Sequence, residues 1–249
     1  MPFDPFTLMC LLIAVTLLGL GKGGFAGLGV LAVPVLVFAF PPTQAAAILL
    51  PLMVIQDVFG VWAFRHSWNR AIVAWMVPGA LLGVVIAALV AAHVSHTAII
   101  GVLGVISILF GAWRLKQLRG KAVVLPVHAP PWVGTVAGVF AGITSQIAHA
   151  GSPPFQMYVS PKRLPHTEYV GTSSVFFAIL NWSKVPAFWA LGEFTPETLR
   201  IVMTMVPVAV VTTLVGVWLI RRIRAERFYV MIDVLLVGLG AELVWSALR

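Results

Sequence analysis

The sequence predicts an all-α integral membrane protein built from two inverted repeats. Three observations predict it. The 249 residues are 60% hydrophobic and only 10% charged, where soluble domains carry about 25% charged residues. Apolar runs long enough to cross a bilayer, roughly 17–25 residues each, recur along the whole chain. Glycine and polar residues interrupt one such run in each half. Lipid cannot satisfy free backbone groups, so these breaks must be buried in protein or line a cavity. A matching pair of breaks is the sequence mark of a transporter's binding site.

The elements follow in order. The first break, Gly19 to Gly24, lies inside the apolar run from Phe6 to Phe40 and divides a short helical pair, 6–40. Full spans follow at 43–64, 71–92 and 97–113, then a basic loop at 114–121. Residues 1–121 make repeat 1. The second break, Thr144 to Pro154, divides the pair 132–160, and full spans follow at 169–191, 199–220 and 228–248. Residues 122–249 make repeat 2, and both repeats belong to one membrane domain. Each broken pair is either re-entrant or two short crossings. Gly79 with Gly83, and Gly134 with Gly138 and Gly142, have the spacing of close helix contacts. The start of the chain lacks a positive n-region, so no signal peptide is expected. Cys10 is the lone cysteine, which excludes an internal disulfide.

The basic residues set the orientation. Arg65 and Arg70 mark one loop, Arg114 to Lys121 another, Lys162 and Arg163 a third, and Arg221 to Arg227 a fourth. The loops between them, at His93 to His96 and Glu193 to Arg200, are neutral or acidic. Every strongly basic loop falls on one side only if the second broken pair returns to the side it left. The second repeat then starts on the opposite side from the first, which inverts it. Met76-Val-Pro78 recurs as Met205-Val-Pro207, and Gly111 then falls on Gly240. The net charge of +8 is the charge of short membrane loops, and nucleic acid is not an expected partner.

The breaks hold the candidate binding residues. A half-helix starting at Gly23 or Gly24 would aim backbone N–H groups and a positive dipole end inward, where an oxyanion is the natural ligand; close packing by small residues is the other reading. Lys22 either attracts the anion or extends to the inner surface. Ser145, Gln146, His149, Ser152 and Gln156 offer neutral polar groups around Gly151. His149 either carries a proton or caps loose carbonyls. Thr172, Ser173 and Ser174 bond their own helix carbonyls or face the site. Asp57 is deep in its span, where an ionised carboxylate costs about 2.5–3.5 kcal/mol on insertion scales. It is therefore protonated, functional in coupling, or paired. The repeat alignment sets it opposite Asn181, with Lys184 one turn further on.

Enzyme readings find no support. Gly19-x-Gly21-x-x-Gly24 fits a dinucleotide fingerprint but lacks the preceding strand. There is no His-Glu-x-x-His motif, and Gly171-Thr-Ser173-Ser lacks the last glycine of a serine-nucleophile turn. No cofactor and no metal are expected. An anion channel and a permease for other small organic anions remain alternatives.

The stretch Gly19 to Pro34, the stretch Gly142 to Pro154, Gly171-Thr-Ser-Ser174 and the closing Arg221 to Phe228 resemble the TauE/SafE, or sulfite exporter, family of bacterial anion permeases. The resemblance covers nearly the whole chain. It implies a two-repeat permease in the bacterial inner membrane, moving sulfite, thiosulfate or a sulfonate outward by alternating access. The expected partners are that small anion, the lipid bilayer and, as an option, a second copy of the chain in a homodimer.

Overall fold

The computed structural model describes residues 4–23, 25, 27–91, 95–118, 129–219 and 226–248. Among these residues all regular structure is helical. Ten α-helices occur: α1 Pro5–Lys22, α2 Ala32–Leu36, α3 Pro42–Phe64, α4 Arg70–Ala91, α5 His96–Leu118, α6 Pro131–Ala148, α7 Ser152–Val159, α8 His166–Ala190, α9 Pro196–Leu219 and α10 Glu226–Leu248. A 3₁₀ turn, Leu28–Leu31, leads into α2. Proline opens α1, α3, α6 and α9, at the position where a missing N–H costs nothing. Asp4 caps α1 by accepting from the Phe6 and Thr7 amides.

Among the described residues, five helices are long and apolar enough to cross a membrane: α1, α3, α4, α5 and α9. Trp62, Trp132, Trp182 and Trp189 are exposed on the outside of the bundle, as amphipathic interface anchors require. Gly24 and the basic residues Arg119, Lys121, Arg221, Arg222 and Arg224 lie outside the described residues.

Among the described residues, glycine sets the approach in four of the helix pairs that build the bundle. On α4 and α6, Gly79 abuts Thr135, Gly83 abuts Val139, Gly138 abuts Met76 and Gly142 abuts Ala80. The numbers rise together, so the two helices run parallel. A Cβ at any of these four glycines would enter the partner's backbone carbonyl. Likewise α1 runs parallel to α9, with Gly19 on Thr212 and Gly23 on Gly216. The other two pairs are antiparallel. Gly60 meets Ser174 and Gly171 meets Ser67 between α3 and α8, while Gly104 meets Gly240 between α5 and α10. The short α7 folds back along α6, which brings Tyr158 against Gly134.

Both breaks differ in place from the expectation. Phe6 to Leu20 is not a short piece: α1 continues through Gly19 and Gly21 to Lys22 over 18 residues. Those glycines are used for contact with Thr212 and Gly29, so they do not interrupt the helix. The break falls after Lys22, and among the described residues helical structure resumes at Leu28 rather than at Gly23. In the second half α6 passes through Thr144, Ser145 and Gln146 and ends at Ala148. Positive φ occurs at Gly27 (99°) and His149 (51°), whereas Gly151 has φ −73°. Gly151 is needed for space instead: Ala141, Ser145 and Phe177 would crowd a Cβ there.

Candidate functional site

Two polar clusters occupy the middle of the bundle. Asp57 on α3 is 2% exposed. One carboxylate oxygen pairs with Lys22 Nζ from the end of α1, and the other accepts from Asn181 Nδ2 of α8 at 2.7 Å. A charge inside apolar helices must find such partners. Lys22 therefore turns inward to Asp57 and does not extend to the surface. Lys184, three residues after Asn181 on α8, is fully buried. Its ammonium meets Ser145 Oγ at 3.1 Å, the Ser145 carbonyl at 3.4 Å and His149 Nδ1 at 2.8 Å.

His149 joins this second cluster to α3. Its Nε2 lies 2.9 Å from the Ala46 carbonyl. A carbonyl only accepts, so the proton sits on Nε2 and Nδ1 is left to accept from Lys184. Both ring nitrogens are thus committed. The ring also stacks on Phe188, with centroids 6.2 Å apart.

A cavity of about 60 Å³ opens between the two breaks. At about 10–15 Å³ per water-sized probe, this is room for a few waters or one small oxyanion. The first break contributes Lys22, Gly27 and Gly29, and the second contributes His149, Ser152 and Gln156. Ser173 and Ser174 of α8 face it as well, and Phe155 and Phe177 form an apolar wall. Both serine hydroxyls donate to the Val170 carbonyl at 2.9 Å, so they present oxygen lone pairs. The start of α7 is poor in backbone donors, because Pro153 and Pro154 follow Ser152 and have no N–H. Side chains must supply most of the hydrogen bonds. Gln156 Nε2 is buried and has no partner in the protein.

A second cavity of about 160 Å³ lies at the other end of α8, walled by Ala46, Phe188, Leu191 and Gln146. The His149 ring lines the first cavity and touches Ala46 and Phe188 in the wall of the second.

The structure therefore brings Lys22, His149, Ser152, Gln156 and Ser173 to one cavity. It sends other candidates elsewhere. Gly23 packs on Gly216. Ser145 lies behind His149 under Lys184, and Gln146 faces the second cavity. The Thr172 hydroxyl is buried, donates to the Glu168 carbonyl at 2.6 Å and accepts from the Asn69 amide at 2.9 Å. Asp57 and Asn181 form a bond between α3 and α8. Gly24 lies outside the described residues.

Sequence reasoning missed Arg114. It is counted above among loop charges, yet it sits inside α5, a turn before the helix ends at Leu118. There its guanidinium covers Gly27, approaches Gln156 Oε1 at 3.5 Å and stacks over Phe110 at 5.7 Å. The available signal was its position directly after an apolar span, within snorkelling reach of the core.

A family model described as Sulfite exporter TauE/SafE matches residues 11–243. No curated protein and no solved structure matches the chain.

Proposed function

The chain belongs to the TauE/SafE sulfite exporter family, and from that premise we propose that this multi-pass membrane transporter carries sulfite, thiosulfate or a small sulfonate out of a bacterial cell across the inner membrane. The observation that carries the reading is the cavity between the breaks, with Lys22 and the unpartnered Gln156 amide nitrogen at its wall. A small oxyanion supplies the acceptor oxygens such groups need, and dispersed donors let it leave again.

Alternating access is supported by the pair of cavities on either side of the His149 ring. The first is flanked by α1, α7 and the start of α8, near the basic turns. The second is flanked by Glu193 and the start of α3. Positive residues prefer the cytoplasm, so the first cavity faces inward. Movement of His149 away from Ala46 and Phe188 connects the anion to the outer cavity.

Two inverted repeats, residues 1–121 and 122–249, are the proposed framework. Helix packing supports them. If α1–α5 correspond to α6–α10, the parallel pair α1–α9 exchanges with the parallel pair α6–α4. The antiparallel pairs α3–α8 and α5–α10 map onto themselves, as a two-fold axis in the membrane plane requires.

A thermal-shift panel of sulfite, thiosulfate, small sulfonates, small carboxylates and phosphate tests the substrate class. A ligand at 100 times its Kd stabilises the folded state by about 2.7 kcal/mol. We expect the sulfur oxyanions to shift the melting temperature most. A shift with carboxylates alone would reassign the substrate. Saturable, gradient-coupled flux in proteoliposomes is expected; flux that never saturates would make the protein a channel.

A further inference from the structure

We infer that Arg114 is a positioning residue that sets anion specificity by fixing the Gln156 side-chain amide with its NH2 group turned into the cavity. This inference rests on the anion-site reading above and names what that site selects.

The amide's orientation follows from donor chemistry. A guanidinium carries only donors. The Gln156 atom that approaches Arg114 Nη1, at 3.5 Å, is the oxygen Oε1. The opposite orientation would set two donors face to face. With Oε1 held by Arg114, the amide nitrogen points the other way. Gln156 is 5% exposed, it lines the cavity, and its Nε2 has no acceptor in the protein. Buried donors without partners are rare because their lost hydration is not replaced. This one is matched when a ligand brings an oxygen.

Gly27 makes the arrangement possible. Its φ of 99° is open to glycine and poorly tolerated by other residues. A Cβ there would collide with Arg114 Nη1 and lie 3.5 Å from Gln156 Nε2. The first break thus seats the guanidinium, the guanidinium orients the amide, and the amide belongs to the second break. Phe110 supports the far face of the guanidinium at 5.7 Å.

The specificity consequence concerns the ligand's own protons. Lys22 and the Gln156 NH2 are donors, so this part of the wall accepts bare oxygens. An oxyanion without O–H groups at neutral pH, such as thiosulfate, satisfies both. Inorganic phosphate carries at least one hydroxyl at that pH, and a hydroxyl turned toward the amide NH2 finds no acceptor there. Sites built on such hydrogen-bond matching discriminate strongly, because a mismatch leaves a buried group unpaired. Once Arg114 is removed, the amide turns over freely and presents oxygen to a ligand hydroxyl.

The test is equilibrium binding of thiosulfate and inorganic phosphate to the purified full-length protein. The readout is the ratio of the two affinities, which cancels the general loss of positive charge. In Arg114→Ala the ratio is expected to fall at least about tenfold, the size of one hydrogen bond to a charged group. Arg114→Lys, still a donor to Oε1, is expected to keep the ratio within about threefold by the same comparison. Gln156→Glu supplies a second arm that does not depend on folding without Arg114. Its carboxylate pairs with Arg114 and keeps the melting temperature, yet it has no donor to offer, so thiosulfate binding falls at least about tenfold. A wild-type ratio in Arg114→Ala, or wild-type thiosulfate binding in Gln156→Glu, overturns the assignment of Arg114 while the anion site stands. A wild-type protein that binds neither anion overturns the site reading itself.

Discussion

At the scale of single residues, the chain solves the problem of charge in lipid by spending one carboxylate on two partners. Lys22 takes one oxygen of Asp57 and Asn181 takes the other. Removing only one member of a buried ion pair strands the other, at a typical cost of about 3–5 kcal/mol. Lys22→Met should therefore lower the melting temperature sharply, and Lys22→Met with Asp57→Asn should recover most of the loss. Equal melting temperatures for the single and double variants would mean that the pair adds no stability. The same carboxylate is the proposed coupling group. Under that scheme Asp57→Asn should flatten the pH dependence of proteoliposome transport while thiosulfate still binds. His149→Gln is the companion test, since glutamine keeps hydrogen bonding and cannot titrate. If both variants keep the wild-type pH profile, the anion gradient alone drives transport.

These residues also show what the sequence could and could not disclose. Asp57 opposite Asn181 was readable from the internal alignment of the two halves, and the hydrogen bond between α3 and α8 joins the same two residues. The pairing of Lys22 with Asp57 spans 35 residues and depends on how α1 is rotated against α3, which no local pattern encodes. Gln146 and His149 are three residues apart, yet they face different cavities. The helix ends between them and His149 turns left-handed, so helical spacing no longer applies. Arg114 looked like a loop charge because hydropathy marks where a span stops being apolar, while the helix itself continues to Leu118.

At the scale of elements, glycine decides which helices touch. The glycine spacing on α4 and α6 was legible as a contact signal, and the structure supplies the partners. Gly142 lies against Ala80, and the added Cβ would enter its carbonyl. Overpacking of this kind costs about 1–3 kcal/mol and occasionally more. Gly142→Val should thus shift the melting temperature down and reduce the folded yield. Gly238 on α10 is the control, with nothing within 4 Å of an added Cβ. Gly238→Ala should be neutral or stabilising by up to about 1 kcal/mol through helix propensity. A comparable loss in both variants would remove steric contact as the explanation. The breaks were harder to place than the contacts. Glycine clusters serve both packing and interruption, and only the neighbouring helix tells the two apart.

At the scale of the whole molecule, orientation is the property with the most direct check. With Cys10 replaced by serine, single cysteines at His66 and Thr195 probe the two ends of the bundle. An impermeant thiol reagent on intact cells should label Thr195→Cys, and His66→Cys only after permeabilisation. Labelling of the opposite pattern would invert the molecule, and labelling of both from outside would dismantle the proposed arrangement.

The parallel pairs α1–α9 and α4–α6 have a further consequence, in time rather than in space. The glycine face of α1 is ready when the first turn of synthesis ends at Lys22, yet its partner α9 is finished only at Leu219. Translation at about 5–20 residues per second leaves that face without its partner for roughly ten to forty seconds. The wait of α4 for α6 is shorter. Neither half of the chain can complete its own packing on the ribosome. The early helices must be held by lipid or by the insertion machinery until the late ones arrive. The wall of the cavity that α8 supplies is also late, so the proposed anion site is among the last parts of this chain to be completed.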